Sequence, residues 1–222
     1  MTTERRSLVR VTRSETLVLA SDDDRRAVRE EFEQNHCISV AQFLAPDLLG
    51  EVQAEVDQAG FYFRPVPGLS TEERMETNRV SARLHLLMND DALLRVIGEI
   101  TGIATGYFFG RVYRRVPGKG HHDNWHDDCD HQRLIGVTVN LSRQAYGGGA
   151  VLMRRRGSTD VFSQMRPAQP GDALLFRIHR SLQHRVEDVT GDAPRTVLTG
   201  WFHGGGTFRS LLYGNTVETA PE

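Results

Sequence analysis

Beyond Gly102 the chain shows six β-rich segments and no helical pattern: "ATGYFFGRVYRRV", "RLIGVTVNLS", "GAVLMRR", "DALLFRI", "QHRVEDV" and "RTVLTGWFH", separated by turns rich in Gly, Pro and Asp. Short strands with regular turns and no intervening helices predict an antiparallel sandwich or barrel. Helical patterns all lie upstream. "SDDDRRAVREEFEQNH" has Ser21 as N-cap and acids in its first turn. "APDLLGEVQAEVDQAG" starts near Pro46 and stops at Gly60, and "NDDALLRVIGEITG" closes at Gly102. "ETLVLA" and "CISVAQFL" read as short strands, and the polar stretch from Gly68 to Asn78 as a mobile loop. The order of elements is therefore α+β with a mainly β functional core. We expect a single domain over 1–222, with a support region over 1–104 whose helices brace one sheet from outside a core at 105–210.

Composition narrows the partners. A formal charge of −2 argues against a strongly basic nucleic-acid binder, and no apolar stretch is long enough to span a bilayer. The first twenty residues break their apolar run with Arg13, Ser14 and Glu15, unlike a signal peptide. Two cysteines, Cys37 and Cys129, give no disulfide framework and suit a reducing cytoplasm.

The chemistry concentrates in "HHDNWHDDCDH", residues 121–131. On an extended chain His126 and Asp128 point to one side and can reach one ion, while Trp125, Asp127 and Cys129 face away. His121 and Asp123 form a second pair of the same spacing. The His126/Asp128 register is preferred because the strand "RLIGVTVNLS" begins soon after it. "SLQHRVEDV" supplies His184 as third ligand. Two histidines and one carboxylate leave open positions, as in non-haem Fe(II) sites; a zinc site using Cys129 is the alternative. Arg195 follows after one turn. If consecutive strands pair, it lies beside His184, where a guanidinium can clamp a dicarboxylate that chelates the metal at its other end.

"WHDD", "GDALLFRIHRSLQHRVEDV" and "PRTVLTGWF" together resemble the Fe(II)/2-oxoglutarate-dependent oxygenases, prolyl-4-hydroxylase-like branch, over roughly residues 105–205. "HCISVAQFLAPDLLGEVQAEV" resembles the strand–helix opening of that branch. The resemblance implies a double-stranded β-helix, or jelly roll, and oxidation of an unactivated C–H bond with release of succinate and CO2. It implies His126, Asp128 and His184 as Fe(II) ligands, and Arg195 on the distal carboxylate of 2-oxoglutarate. Asn140, Tyr113 and Thr199 fall at positions that resemble further cosubstrate contacts, and Trp201 follows Arg195 at family-like spacing. Dioxygen is the second cosubstrate, with ascorbate as a reductant. Asp128 fills the position that is a small residue in the related halogenases, so hydroxylation or desaturation is expected. His121, His122, Asn124, Trp125, Arg177 and Trp201 are the candidate substrate contacts, the substrate being a small molecule such as an amino acid or biosynthetic intermediate. The rival reading is a cupin-like, non-redox metal protein on the same barrel.

Overall fold

A computed structural model describes residues 6–213, so both ends of the expected 1–222 unit lie outside the described residues. The N-terminal part runs β1 (Val9–Val11), β2 (Thr16–Val18), α1 (Asp22–Asn35), β3 (Cys37–Val40), α2 (Pro46–Asp57), β4 (Phe61–Val66), β5 (Ser70–Met75), α3 (Arg79–Met88) and α4 (Asp91–Thr101). The C-terminal part runs β6 (Tyr107–Arg115), β7 (Arg133–Asn140), β8 (Gly147–Gly148), β9 (Val151–Arg155), β10 (Val161–Met165), β11 (Ala173–Arg177), β12 (Leu182–Val186), β13 (Val189–Thr190), β14 (Arg195–His203) and α5 (Phe208–Tyr213).

Local signals act as expected at several boundaries. The Ser21 side chain accepts from the Asp24 amide while Asp24 reaches back to the Ser21 amide, a capping box that starts α1. Pro46 opens α2, where its missing N–H is needed by no helical bond. Gly102 closes α4 in a left-handed conformation, φ 70°. Helix α2, however, ends at Asp57 with Gln58 as C-cap, before Gly60.

Seven strands form one antiparallel sheet in the order β3-β11-β7-β14-β6-β5-β4, and three form a second in the order β10-β9-β12. Side chains alternate across the large sheet. Phe108, Ile135, Val137, Val139, Leu175, Leu198 and Phe202 point outward into a core shared with Val28, Phe32, Val52, Leu84, Val96 and Ile97 of the helices. Leu174, Phe176 and Ile178 point the other way and pack against Val151, Met153 and Leu182 of the small sheet. The result is the jelly roll, braced by helices on one side. Because β3, β4 and β5 are hydrogen-bonded into the large sheet, the N-terminal region and the β-rich region share it. No helix among the described residues is long and apolar enough to cross a membrane.

The expected mobile loop at Gly68–Asn78 is instead ordered secondary structure. β5 pairs with β4 along its whole length and with β6 through Glu73 and Arg74, and Asn78 caps α3 by accepting from the Ser81 amide. The strand is polar because one of its faces carries Ser70 and Glu72 to the wall of a polar cavity.

Candidate metal centre

The two histidines of the site are fixed by backbone before any side chain matters. His126 and His184 exchange both amide bonds, His126 N to His184 O at 3.0 Å and His184 N to His126 O at 2.8 Å. That isolated bridge ties the segment after β6 to β12 and sets the imidazole centroids 4.3 Å apart. Asp128 does not arrive by extended alternation, as the sequence suggested. Its φ is 55°, a left-handed turn that aspartate tolerates better than most residues. The turn still brings its carboxylate back to the histidines, with Oδ2 at 3.6 Å from His126 Nε2 and 3.3 Å from His184 Nε2.

Hydrogen bonds orient these groups. His126 Nδ1 lies 2.7 Å from the Asn124 carbonyl, so it carries the donated proton and leaves Nε2 for the centre. Trp201 Nε1–H donates to Asp128 Oδ2 at 2.9 Å, and Arg133 donates to Oδ1 at 3.3 Å while stacking on the Trp201 ring at 3.8 Å. Phe176 packs 4.8 Å from His184, and Gly136 is required there because a Cβ would strike the Phe176 ring. Burial acts to lower the His126 imidazole, but the bond and charge of Asp128 prevail and push it up to about 9. Burial acts to raise Asp128, and its two histidine bonds hold it well below the usual carboxylate range instead. Burial lowers His184. Without metal, the cluster is an imidazolium–carboxylate pair beside a neutral imidazole.

The three residues face a cavity of about 270 Å³, whose wall includes Arg64, Glu72, Tyr113, Arg115, Asp123, Arg133, Thr138, Thr199 and Trp201. Arg195 does not sit on the strand beside His184. β12 belongs to the small sheet and β14 to the large one, so the two residues come from facing sheets. Sequence neighbours in a jelly roll alternate between sheets, and adjacency in the chain misleads. Arg195 lies directly opposite Arg115 in the β14–β6 register, on the same face. It is 4 % exposed, and neither its Nε nor the hydroxyl of the neighbouring Tyr146 has a hydrogen-bond partner among the described residues. Gly149, at φ 68°, leaves room for this side chain, since a Cβ there would lie 2.7 Å from Arg195 Cδ. Burial pushes the guanidinium down from its usual value.

The other expected contacts divide. Tyr113, Thr199 and Trp201 reach the cavity wall. Asn140 does not line it: it is buried, and its Oδ1 accepts from the Ser142 amide at 2.9 Å. His122, Asn124, Trp125 and Arg177 also lie off that wall. His122 meets Thr71 Oγ1, Asn124 donates to Gly68 O, Trp125 stacks under Arg154, and Arg177 lies over Phe32. His121 is buried, with Nδ1 accepting the Val116 amide at 2.8 Å, and Asp123 accepts the Val186 amide and faces Arg115, so this pair is structural support. Cys129 packs against the cluster between the sheets. Sequence reasoning missed Arg115, Glu72 and Arg133, and it offered Asp123 only as a rival metal ligand. Arg115 was open to discovery, since it shares a strand face with Tyr113.

The donor set fits a divalent transition metal: two imidazole nitrogens and one carboxylate oxygen lie within 4.8 Å of one another and leave part of a coordination sphere facing a cavity. The unpartnered Nη1 of Arg115 on the cavity wall fits a carboxylate ligand beside it, and Arg195, opposite Arg115 in the strand register, lies behind that wall with its Nε unpartnered. Fold and site together define a jelly roll with a candidate metal centre facing its cavity. Residues 110–203 match the model of the 2OG-Fe(II) oxygenase superfamily. The match indicates a dioxygenase by class, and that superfamily uses Fe(II), 2-oxoglutarate and dioxygen. No curated protein sequence matches significantly. Among solved structures the fold is similar to a Pseudomonas putida prolyl-4-hydroxylase, with a TM-score of 0.62 and 18% identity, covering 82% of this chain and 99% of that one. It is similar to a Trichoplax adhaerens prolyl hydroxylase in complex with a hypoxia inducible factor peptide fragment, at 0.60 and 17%, covering 82% and 90%. It is also similar to the epimerase SnoN in complex with Fe3+, alpha ketoglutarate and a nogalamycin, at 0.63 and 10%, covering 91% and 93%.

Proposed function

We propose that this protein is an Fe(II)/2-oxoglutarate-dependent hydroxylase or desaturase of an unactivated C–H bond in a small molecule, such as an amino acid or biosynthetic intermediate, acting in the cytoplasm. The observation that carries the reading is the His126/Asp128/His184 cluster on a cavity whose wall also holds buried, unpartnered guanidinium nitrogen. In this reading His126 and His184 bind iron through Nε2 and Asp128 through a carboxylate oxygen. Arg195 receives the distal carboxylate of 2-oxoglutarate, and its burial makes that contact count because little water competes for it. When bound, iron with 2-oxoglutarate and dioxygen supplies the oxidising equivalents for C–H cleavage, with succinate and CO2 as co-products.

The chain's own residues orient and exclude. Trp201 and Arg133 hold both oxygens of Asp128, which fixes the carboxylate plane and limits the geometries a metal finds there. Thr199 donates to the Val137 carbonyl and meets Thr138 Oγ1 at 3.1 Å, so the cavity floor is polar but internally satisfied. Val66, Leu69 and Val151 keep part of the wall apolar and limit water near the reacting bond. Asp128 occupies the position a halide needs, which favours oxygenation over halogenation. A panel of small-molecule candidates scored by succinate release tests the reading. It predicts release that depends on Fe(II) and one substrate class; no turnover of 2-oxoglutarate in the iron-loaded, folded protein contradicts it.

A further inference from the structure

Three arginines line the cavity, Arg64, Arg115 and Arg133, and each faces a carboxylate, whereas Arg74 and Arg111 lie next to that wall and not on it. Arg64 pairs with Glu72 at 3.1 Å, Arg115 lies 3.5 Å from Glu72 and 3.6 Å from Asp123, and Arg133 meets Asp128. Arg74 and Arg111 are different. Neither has a carboxylate within ion-pair distance among the described residues, and Arg74 makes no side-chain hydrogen bond there. Both Nε atoms are sheltered from water without a partner. Register places the two together. Arg74 lies opposite Tyr113 across β5 and β6, and Arg111 is the next residue of β6 on the same face. Tyr113 belongs to the wall of the metal cavity.

Two like charges on one face, each with a desolvated and unmatched N–H, are unfavourable unless something balances them. Burial and then the Arg74 charge both push the Arg111 guanidinium down. Each guanidinium lies over an aromatic ring, with Arg74 Cζ 5.9 Å from the Tyr62 centroid and Arg111 Cζ 4.3 Å from that of Phe109. A cation over a ring uses no N–H for that contact and keeps donors for an oxyanion. Arg111 is further anchored by donating to His85 Nε2 at 3.1 Å and to the Gly110 carbonyl at 2.9 Å. Burial and the neighbouring Arg111 keep His85 neutral, as an acceptor must be. The Tyr113 phenol, raised by burial and by Glu72, stays protonated and can donate.

We propose that Arg74 and Arg111, with the Tyr113 hydroxyl beside them, form an oxyanion subsite that holds a carboxylate or phosphoryl group of the primary substrate. The assignment rests on the dioxygenase reading above for what the ligand is, and on the arginines alone for its charge. It differs from the cosubstrate contact through Arg195, and it draws Tyr113, which the resemblance sets among cosubstrate contacts, to the primary substrate instead.

The test uses protein loaded with Fe(II) and 2-oxoglutarate under nitrogen, so that the metal-side carboxylate position is filled. Benzoate and phenyl phosphate are titrated calorimetrically, with benzyl alcohol as the neutral control. At least one anion binds and the alcohol does not, and Arg74→Gln and Arg111→Gln each weaken the anion about tenfold, as expected for loss of one charged hydrogen-bonding partner. The visible Fe(II)–2-oxoglutarate band persists in both variants and reports that fold and metal site survive. If Arg111→Gln does not fold, Arg74→Gln decides, since Arg74 has no hydrogen bond to lose. Binding of the alcohol as tightly as the anions, binding of neither anion, or affinity unchanged in the variants overturns the subsite. Arginine-dependent anion binding in wild-type protein that never develops the band leaves the subsite standing and removes the dioxygenase reading.

Discussion

The two faces of the seven-stranded sheet are built by the same strands and behave oppositely. On β14, Leu198 and Phe202 enter the helix-covered core, whereas Arg195, Thr199 and Trp201 face the interior of the jelly roll. On β7, Ile135, Val137 and Val139 are core, and Thr138 is cavity wall. The outer face is apolar and close-packed. The inner face is polar, and its charged groups are only partly matched. Period-two alternation thus lets one strand carry stability on one side and chemistry on the other, and substitutions one residue apart are expected to fail in different ways.

The largest effect tests that separation at Phe202, fully buried with its ring centroid 5.4 Å from that of Phe108. Phe202→Ala is expected to cost about 3–5 kcal/mol of folding stability by urea denaturation, through lost burial and a cavity. The fraction that stays folded should still bind Fe(II). Next, His126→Ala should abolish Fe(II) binding in equilibrium dialysis, whereas His121→Ala should keep it and lose about 1 kcal/mol of stability with the acceptor of the Val116 amide. The reverse result moves the metal to His121 and Asp123. On the inner face, Arg195→Lys should weaken 2-oxoglutarate binding by about 1.5–3 kcal/mol while sparing Fe(II), because a fork of donors becomes a point charge. The smallest effect is expected from Trp201→Phe. It keeps a ring under Arg133 but removes the N–H to Asp128, and should reduce metal affinity by about 1 kcal/mol, read by chelator competition.

The same contrast explains what was legible in the sequence. "RTVLTGWFH" and "DALLFRI" read as strands because their outer-face residues are apolar in the helix-covered core. "FYFRPV" and "STEERM" hid their pairing, because one face carries Arg64, Ser70 and Glu72 toward a polar cavity and the apolar alternation disappears. That His126, Asp128 and His184 come together was readable from residue type and spacing, although Asp128 reaches the cluster by a left-handed turn that no periodicity encodes. The expected place of Arg195 beside His184 was wrong, since which strands share a sheet is a property of topology. His122, Asn124, Trp125 and Arg177 were chosen for chemistry near the motif, and their contacts lie elsewhere. Arg74, within the supposed loop, was invisible until β5 paired with β6.

The central claim is that His126, Asp128 and His184 hold an iron beside a dicarboxylate site. Anaerobic titration of the protein with Fe(II) and 2-oxoglutarate together tests it most directly. A weak visible charge-transfer band is predicted, absent with either component alone, lost in His126→Ala and shifted to higher 2-oxoglutarate concentration in Arg195→Lys. Folded, iron-loaded protein that develops no such band contradicts the account.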